Sequence, residues 1–558
     1  MQHPFAGTHA CRGATAMMAR VNCLTQLARN HLHIAIVGFG PRGLAAAEYV
    51  LADAHAIKID VFDPCAVPAA GPNFMPDEPD ECLLNLPLRA VDLPPPTGAN
   101  AASFHDFVAR EMDVAPDPDS YAPRNMLGAY MAGRLDGLVQ SYPDALAHHA
   151  ALVTEAWRDG QGWWLTTADA THGPFHALLL STGQPISRAD DQLARWQDFA
   201  ADKGFDVAPA YPGRALVTAA QGWAGKTIAV RGLGLSAFDV VGMLTLGVGG
   251  KIVDGQYQRS GHEPRLIVPF SRDGLPPMPK PTMAQEPVYA LQKDEKTQLL
   301  AAVRAALGAS PADARQMIAA ALAPPATRIT GQDAAPWLAT EADPDADHPQ
   351  QGPVAFLQDA IAMADGHLAP CVAYAVGQIW RAMQSDLRDI FHSTDGDPAT
   401  RAAIVAIDHG LKRITYGPPL SSARLMLTLV NDGMVQLGLA DGPDIALTDD
   451  GWVLDADITA QVMIDAVLPA PKLAQLDDPL IRSLLRKGHL REDPGTGGIL
   501  LDRGGMAEQG LHVLGRMGEG SSIATDSIHD CFGVNTRAWA QDMTKDALKS
   551  ASKGHAHA

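Results

Sequence analysis

Three glycines, Gly38, Gly40 and Gly43, stand in HIAIVGFGPRGLAAAEYV (His33 to Val50) with the spacing G-x-G-x-x-G, and a carboxylate, Asp63, follows Gly43 by twenty residues. These residue types at this spacing suit the binding of a dinucleotide. The first glycine permits a tight turn, the second lets a pyrophosphate approach the backbone, and the third lets a helix pack closely on a strand. The acid then meets a ribose hydroxyl, while the positive end of the helix faces the phosphates. Further along, TIAVRGLGLSAFDVVGML (Thr227 to Leu244) offers Gly232, Gly234 and Ala237 in the same frame. Arg272, near the end of LIVPFSRDG, follows Gly232 by forty residues, so KIVDGQYQRSGHEPR makes an excursion first. A guanidinium there pairs with the 2′-phosphate of NADP, where a carboxylate would select NAD; the alternative for Arg272 is a solvated surface charge.

Both glycine turns sit between a strand pattern and a helix pattern. IAIV (Ile34 to Val37) is a β-branched run suited to a strand buried on both faces, and GLAAAEYVLA has helix-forming alanines with apolar spacing. IKIDVFDP then supplies the strand that ends at Asp63. The bland alternative is a glycine-rich turn in an unrelated α/β protein, and strand, helix and acid together weigh against it. Two such units imply two nucleotides.

The chain has 558 residues, 47% hydrophobic and 19% charged, which predicts two or three packed units and little extended disorder. Lys and Arg number 43 against 63 Asp and Glu, a net charge of −20, so general affinity for nucleic acid or anionic lipid is not expected. The cysteines, Cys11, Cys23, Cys65, Cys82, Cys371 and Cys531, are scattered, with no CxxC pair, which fits a reducing compartment. No apolar run approaches the roughly 18 residues that a membrane span needs, so the expected location is cytoplasmic. The first 30 residues and the tail KGHAHA lack apolar periodicity and are expected to be loosely ordered.

Two dinucleotide motifs in this order resemble the two-dinucleotide-binding flavoproteins, with an FAD site, an inserted NAD(P) site and a return to the FAD domain. More closely, the chain is similar to the bacterial FAD/NAD(P)-binding family that includes amino-acid N-hydroxylating monooxygenases. Four segments carry that likeness: GFGPRGLAAAEYVLA, GPNFMPDEPDECLLNLPLRAV (Gly71 to Val91), YAPRNMLGAYM (Tyr121 to Met131) and GLHVLGRMGEGSSIATDSIHDCFGVNTRAWA (Gly510 to Ala540). The resemblance implies cofactor contacts at Pro41 and Arg42 beside the first glycines, and at Gly515, Arg516 and Asp526 in a C-terminal segment that closes over the flavin. It brings the Gly71 to Val91 loop to the flavin ring, with Asn85 either a contact or a turn residue.

FHALLLSTGQP resembles the third flavin segment, an apolar strand ending at Thr182 and Gly183. Here His176 replaces the acid often found before that strand, and Gln184 replaces the tyrosine that often follows Thr-Gly in N-hydroxylases. YPGRALV has the frame of a Baeyer–Villiger motif but places Val217 where the histidine belongs, which disfavours that chemistry.

The fold class implied is α/β, with two Rossmann-like dinucleotide-binding domains, for FAD and NADP, and a helical insertion. The expected organisation is a flexible segment over 1–30, an FAD domain over 31–210, an NADP domain over 211–285, the helical insertion over 286–416, a return to the NADP domain over 417–475, a return to the FAD domain over 476–545 and a flexible tail over 546–558. EKTQLLAAVRAALGA and DARQMIAAALA show helical periodicity, broken by EADPDADHPQQGP, whereas ARLMLTLVNDGMVQLGLADG and ITAQVMIDAVLPAP read as strands. His348, His367, His392 and His409 show no metal-ligand spacing, so no metal is assigned.

The resemblance implies an FAD- and NADPH-dependent monooxygenase that N-hydroxylates an amino acid or related small amine through a flavin C4a-hydroperoxide. Its partners would be that amine and dioxygen, with self-association left open. Arg89 and Arg124, in flavin-proximal segments, are either cations for a substrate carboxylate or salt-bridge partners. No catalytic base is evident. The rival readings are a flavin reductase or dehydrogenase with a non-oxygen acceptor, and a non-catalytic flavin-binding regulatory protein.

Overall fold

The structure is a computed structural model that describes residues 32–53, 57–98, 102–113, 115–342, 351–502 and 504–555. The expectations for the first 30 residues, for His348 and for most of the EADPDADHPQQGP loop lie outside these residues.

The first domain is built on β1 (Leu32–Val37), in which Ile34, Ala35 and Ile36 are completely buried because both faces of the sheet are covered. A glycine turn leads into α1 (Pro41–Asp53), where proline fits the first position because its missing N–H has no intrahelical partner to lose. The adjacent β2 (Ile57–Phe62) runs parallel to β1 in a register that sets Val37 opposite Phe62. Two helices follow, α2 (Phe104–Glu111) and α3 (Arg124–Ser141). Arg134 of α3 makes a buried, two-pronged ion pair with Glu48 of α1, at 2.9 and 2.5 Å. β3 (Leu146–His149) extends the sheet parallel to β2. A meander of β4 (Glu155–Arg158), β5 (Trp163–Thr166) and β6 (Thr171–Phe175) covers one face before β7 (Ala177–Leu180) returns parallel to β1.

After α4 (Asp191–Lys203), β8 (Asp206–Pro209) pairs in a second sheet, so that sheet gathers a strand from ahead of residue 211. It continues through α5 (Gly213–Ala220), β9 (Thr227–Arg231), α6 (Leu235–Thr245), the hairpin of β10 (Lys251–Val253) and β11 (Gln256–Gln258), and β12 (Leu266–Phe270). The hairpin is the excursion that lengthens the interval to Arg272.

The insertion is helical: α7 (Lys293–Ala306), α8 (Pro311–Thr330), α9 (Ala335–Ala342), α10 (Pro353–Asp365), α11 (Val372–Ala382), α12 (Gln384–Ser393) and α13 (Pro398–Thr415). It shares one continuous core with the second domain, since Leu299, Ile318 and Tyr374 belong to the same buried cluster as Val230 and Leu244. One expectation fails here. ARLMLTLVN is helix α14 (Leu420–Asn431), because Leu420, Ala423, Met426 and Leu429 fall on one buried stripe against the insertion and α6, and that packing outweighs the strand-like apolar run. The strands appear later, as the meander of β13 (Ile445–Thr448), β14 (Gly451–Leu454) and β15 (Ile458–Ala460), followed by β16 (Val462–Asp465). The second sheet has the order β12-β9-β16-β8, with every neighbouring pair parallel.

Beyond α15 (Pro479–Arg486), β17 (Met506–Glu508) and β18 (Leu511–Val513) complete the first sheet in the order β17-β18-β7-β1-β2-β3. The short α16 (Ile528–Cys531) and the long α17 (Val534–His555) then pack on α1, with Trp539 buried between them. The tail expected to be loose from 546 is helical through His555. Among the described residues, no helix is long and apolar enough to cross a membrane.

Candidate dinucleotide and substrate sites

At the carboxyl end of β1, Gly38 has φ +84°, and a Cβ there would lie 2.6 Å from Thr182 Cα and 2.7 Å from Ser181 O. Only glycine allows this turn to lie against the end of β7, where Ser181 Oγ donates to Gly38 O at 2.6 Å. A Cβ on Gly43 would lie 2.6 Å from Gly38 O, so this glycine sets the close approach of α1 to the turn. Gly40 differs. Its Cβ would meet nothing nearer than Gly71 Cα at 3.6 Å, so the protein itself does not demand glycine there. The backbones of Gly40 and Gly71 approach closely here, beside the amino end of α1 where Pro41 opens the helix, and that helix end is where a diphosphate would bind.

The Asp63 carboxylate, nearly buried, accepts from Phe39 N in the glycine turn and from Cys65 N. Each of its oxygens retains a lone pair, so a ribose hydroxyl can still be bound. Thr182 Oγ1 is buried with no partner, and Gly183 beside it is exposed with φ +70°. His176, in the place of the missing acid, accepts a hydrogen bond from His33 N. These features fit a bound FAD.

The C-terminal segment is fastened over the same turn by a residue on α1. Arg42 is buried, donating from Nη2 to Asp530 Oδ2 at 2.6 Å and from Nη1 to Asp530 O at 2.9 Å. Arg388 of α12 approaches the other oxygen of Asp530 at 3.7 Å and donates to Ala524 O, so the insertion grips this segment too. Gly515 has φ +88°, and its Cβ would sit 2.7 Å from Arg42 Nε. Arg516 donates to Asp526 at 2.9 Å, and Lys412 donates to its other oxygen at 2.7 Å. Burial pushes the Asp526 carboxyl up, but Arg516 and Lys412 more than offset this and hold it below the usual range. Asn85 is half-buried on the Gly71 to Val91 strap.

The second turn repeats the first in outline. Gly232 has φ +111°, with the Ala466 carbonyl 3.1 Å from where its Cβ would be; Gly234 caps α6 with open space around it; Ala237 is fully buried in the helix. Arg272 is exposed two residues beyond β12, the strand beside β9, where a 2′-phosphate would lie.

The two arginines considered for substrate go to different places. Arg124 Nη2 donates to Asp239 of α6 at 2.6 Å, its Nε donates to Leu83 O, and the Tyr211 ring lies beneath the guanidinium at 5.3 Å. Tyr211 donates a short hydrogen bond to the same Asp239 oxygen. Arg124 is therefore a buried tie between the Gly71 to Val91 strap and the second domain. Burial pushes the Asp239 carboxyl up, and Arg124 and Tyr211 oppose that shift. Arg89 lies instead against the insertion, donating to Pro281 O next to the buried Lys280 and sharing Glu286 with the half-buried Arg381, two cations that no sequence motif marks. Lys280 sits in PPMPKP, which reads as an ordinary loop, and no sequence signal marks its burial. Among the insertion histidines, His392 meets Asn535 and His409 meets Glu519.

Residues 35–185 match the FAD-NAD(P)-binding family. The chain is similar to a nitrosuccinic acid synthase of Aspergillus oryzae, 28% identical over 269 residues that cover 44% of this chain and 41% of that protein. It is also similar to an L-aspartate N-monooxygenase (nitrosuccinate-forming) of Streptomyces davaonensis, 29% identical over 294 residues that cover 44% of each chain. The chain thus matches less than half the length of these relatives. Among solved structures, the reduced ornithine hydroxylase from Pseudomonas aeruginosa superposes with a TM-score of 0.51 at 13% identity, covering 93% of this chain and 100% of that one, which shows a shared fold.

Proposed function

We propose that this protein is an FAD- and NADPH-dependent monooxygenase that N-hydroxylates an amino acid, with L-aspartate the leading substrate. The observation that carries this reading is the pair of complete strand, glycine-turn and helix units in one chain, the first closed by its own C-terminal segment through Arg42 and Asp530. The aspartate N-monooxygenase relatives support the choice of substrate.

When bound, FAD supplies the chemistry that moves electrons from NADPH to dioxygen. The chain's own residues bind, orient and enclose. The amino end of α1 beside Gly40 would hold the diphosphate, Asp63 would hold a ribose hydroxyl, and Arg272 would pair with the 2′-phosphate that distinguishes NADPH from NADH. The segment fastened by Arg42, Arg388 and Lys412 keeps water from the flavin, which favours transfer of oxygen to the amine over its loss as hydrogen peroxide.

The test incubates FAD-loaded protein with NADPH, oxygen and, separately, L-aspartate, L-ornithine and L-lysine, with mass spectrometry of the products. Oxygen added to the nitrogen of aspartate supports the reading. NADPH consumed with hydrogen peroxide as sole product for every amine contradicts it.

A further inference from the structure

Two large apolar residues, Val467 and Leu468, stand side by side just beyond β16, and they are 43% and 57% exposed. A single exposed apolar side chain is ordinary, but an adjacent pair at the carboxyl end of a sheet lies where open α/β sheets bind their ligands. The place of this pair is defined at both ends. At one end, Val467 Cγ2 lies 3.4 Å from where a Cβ on Gly232 would be, so the pair starts against the second glycine turn. At the other, Pro469 O accepts from Arg516 Nη2 at 3.0 Å, and Arg516 belongs to the C-terminal segment fastened over the first turn. Residues 467–469 therefore run from one dinucleotide site to the other.

The two domains are built alike at this point. In the first, β7 lies parallel to β1 with Leu180 opposite Val37, and its end meets the Gly38 turn through Ser181 and Thr182. In the second, β16 lies parallel to β9 with Asp465 opposite Arg231, and its end meets the Gly232 turn through Ala466 and Val467. By that register, Val467 and Leu468 occupy the positions that Thr182 and Gly183 hold in the first domain. The chemistry differs. A threonine hydroxyl and a bare glycine suit a polar chain that bears hydroxyls and phosphates, whereas two branched apolar side chains suit a flat ring. The Val467 N–H is also turned back to the protein, since it donates to Asp465 Oδ1 at 3.3 Å, and Arg231 Nη1 lies 3.5 Å from the same oxygen. That amide is therefore not aimed at a phosphate, and the turn presents its side chains instead.

We propose that Val467 and Leu468 form the apolar platform on which the nicotinamide ring of NADPH rests, between the Gly232 turn that meets its phosphates and the flavin. This deepens the reading of the second turn as the NADPH site and rests on it, and it names the residues that receive the reactive end of the nucleotide.

The experiment is calorimetric titration of the FAD-loaded protein with NADP+ and with 2′-phospho-ADP-ribose, which lacks only the nicotinamide ring. The wild type should bind NADP+ more tightly. Leu468→Ser should weaken NADP+ about tenfold, the scale of losing one large apolar side chain from a contact, while changing 2′-phospho-ADP-ribose little. Val467→Thr, which keeps the shape against Gly232, should act with the same selectivity and by a smaller factor, and Leu468→Met should retain the wild-type preference. Both side chains are open to solvent, so these variants leave the core intact, and FAD content reports that they fold. Equal weakening of both ligands, no weakening of either, or a wild type without preference for NADP+ would each overturn the platform and leave the NADPH site standing. A wild type that binds neither ligand would remove the NADPH reading of the second turn, and the platform with it.

Discussion

Replacing Arg124 by Met isolates the tie between the strap and the second domain. The side chains of Arg124 and Asp239 are 13% and 6% exposed, and the contact is 2.6 Å. The variant leaves a buried carboxylate with the Tyr211 hydroxyl as its remaining donor. Breaking such a pair costs about 3–5 kcal/mol. The protein can limit that cost by protonating Asp239, and moving a carboxyl from an ordinary value near 4 to neutrality costs about 4 kcal/mol at roughly 1.36 per pH unit. The two routes agree on a loss of about 4 kcal/mol near pH 7, which corresponds to a fall in unfolding temperature on the order of 10 °C. Because the limit is set by protonation, the penalty shrinks by about 1.4 kcal/mol for each pH unit of acidification. Arg124→Met/Asp239→Asn removes the stranded charge while keeping an acceptor for Tyr211, so it should recover most of the loss. The assay is thermal unfolding of wild type, both single variants and the double variant between about pH 5 and 7.5, scored as a cycle. An Arg124→Met protein as stable as wild type, or a double variant no better than the single one at every pH, would refute the reasoning.

Gly38→Ala should lower both the stability of the FAD-free protein and its FAD affinity, because the new Cβ lies 2.6 Å from Thr182 Cα. Gly40→Ala should leave FAD-free stability nearly intact while weakening FAD about tenfold or more, since only the diphosphate needs that space; equal unfolding temperatures and equal FAD affinities for the two variants would contradict this. Arg272→Gln should raise the KM for NADPH by roughly 10- to 100-fold and spare NADH, so an equal effect on both nucleotides removes Arg272 from the site. Burial pushes His512 down, and burial with Arg388 does the same to His529. The unfolded chain therefore binds more protons below about pH 6.5, and these two histidines lose stability for the fold as pH falls through that value. The acid-induced drop in unfolding temperature should be smaller in His512→Gln than in wild type; an unchanged drop would show that His512 does not contribute.

Most of the dinucleotide frame was legible because its signal is the absence of a side chain, and absence is written in the sequence itself. Gly38, Gly43 and Gly232 mark turns whose φ values or close contacts exclude a Cβ, and Asp63 and Arg272 stand at the ends of the strands that follow. What could not be read was how distant segments complete a charge. Arg124 offered a substrate cation or an ion pair, and only the packing of α6 supplies Asp239. Lys280, in a proline-rich run, gives no hint of burial, because the contacts around that run come from α11, the turn after α13 and the strap. The misread of α14 has a similar origin: a short apolar run fits a buried strand or helix equally well, and the neighbours decide.

The most direct test of the central claim is an absorbance titration of the purified protein, first with FAD, then anaerobically with NADPH, then with oxygen and L-aspartate. The account predicts one FAD per chain, loss of the oxidised flavin spectrum on adding NADPH, and its return on aeration with N-oxidised aspartate as product. A chain that holds no FAD, or a bound flavin that NADPH leaves oxidised, would contradict it.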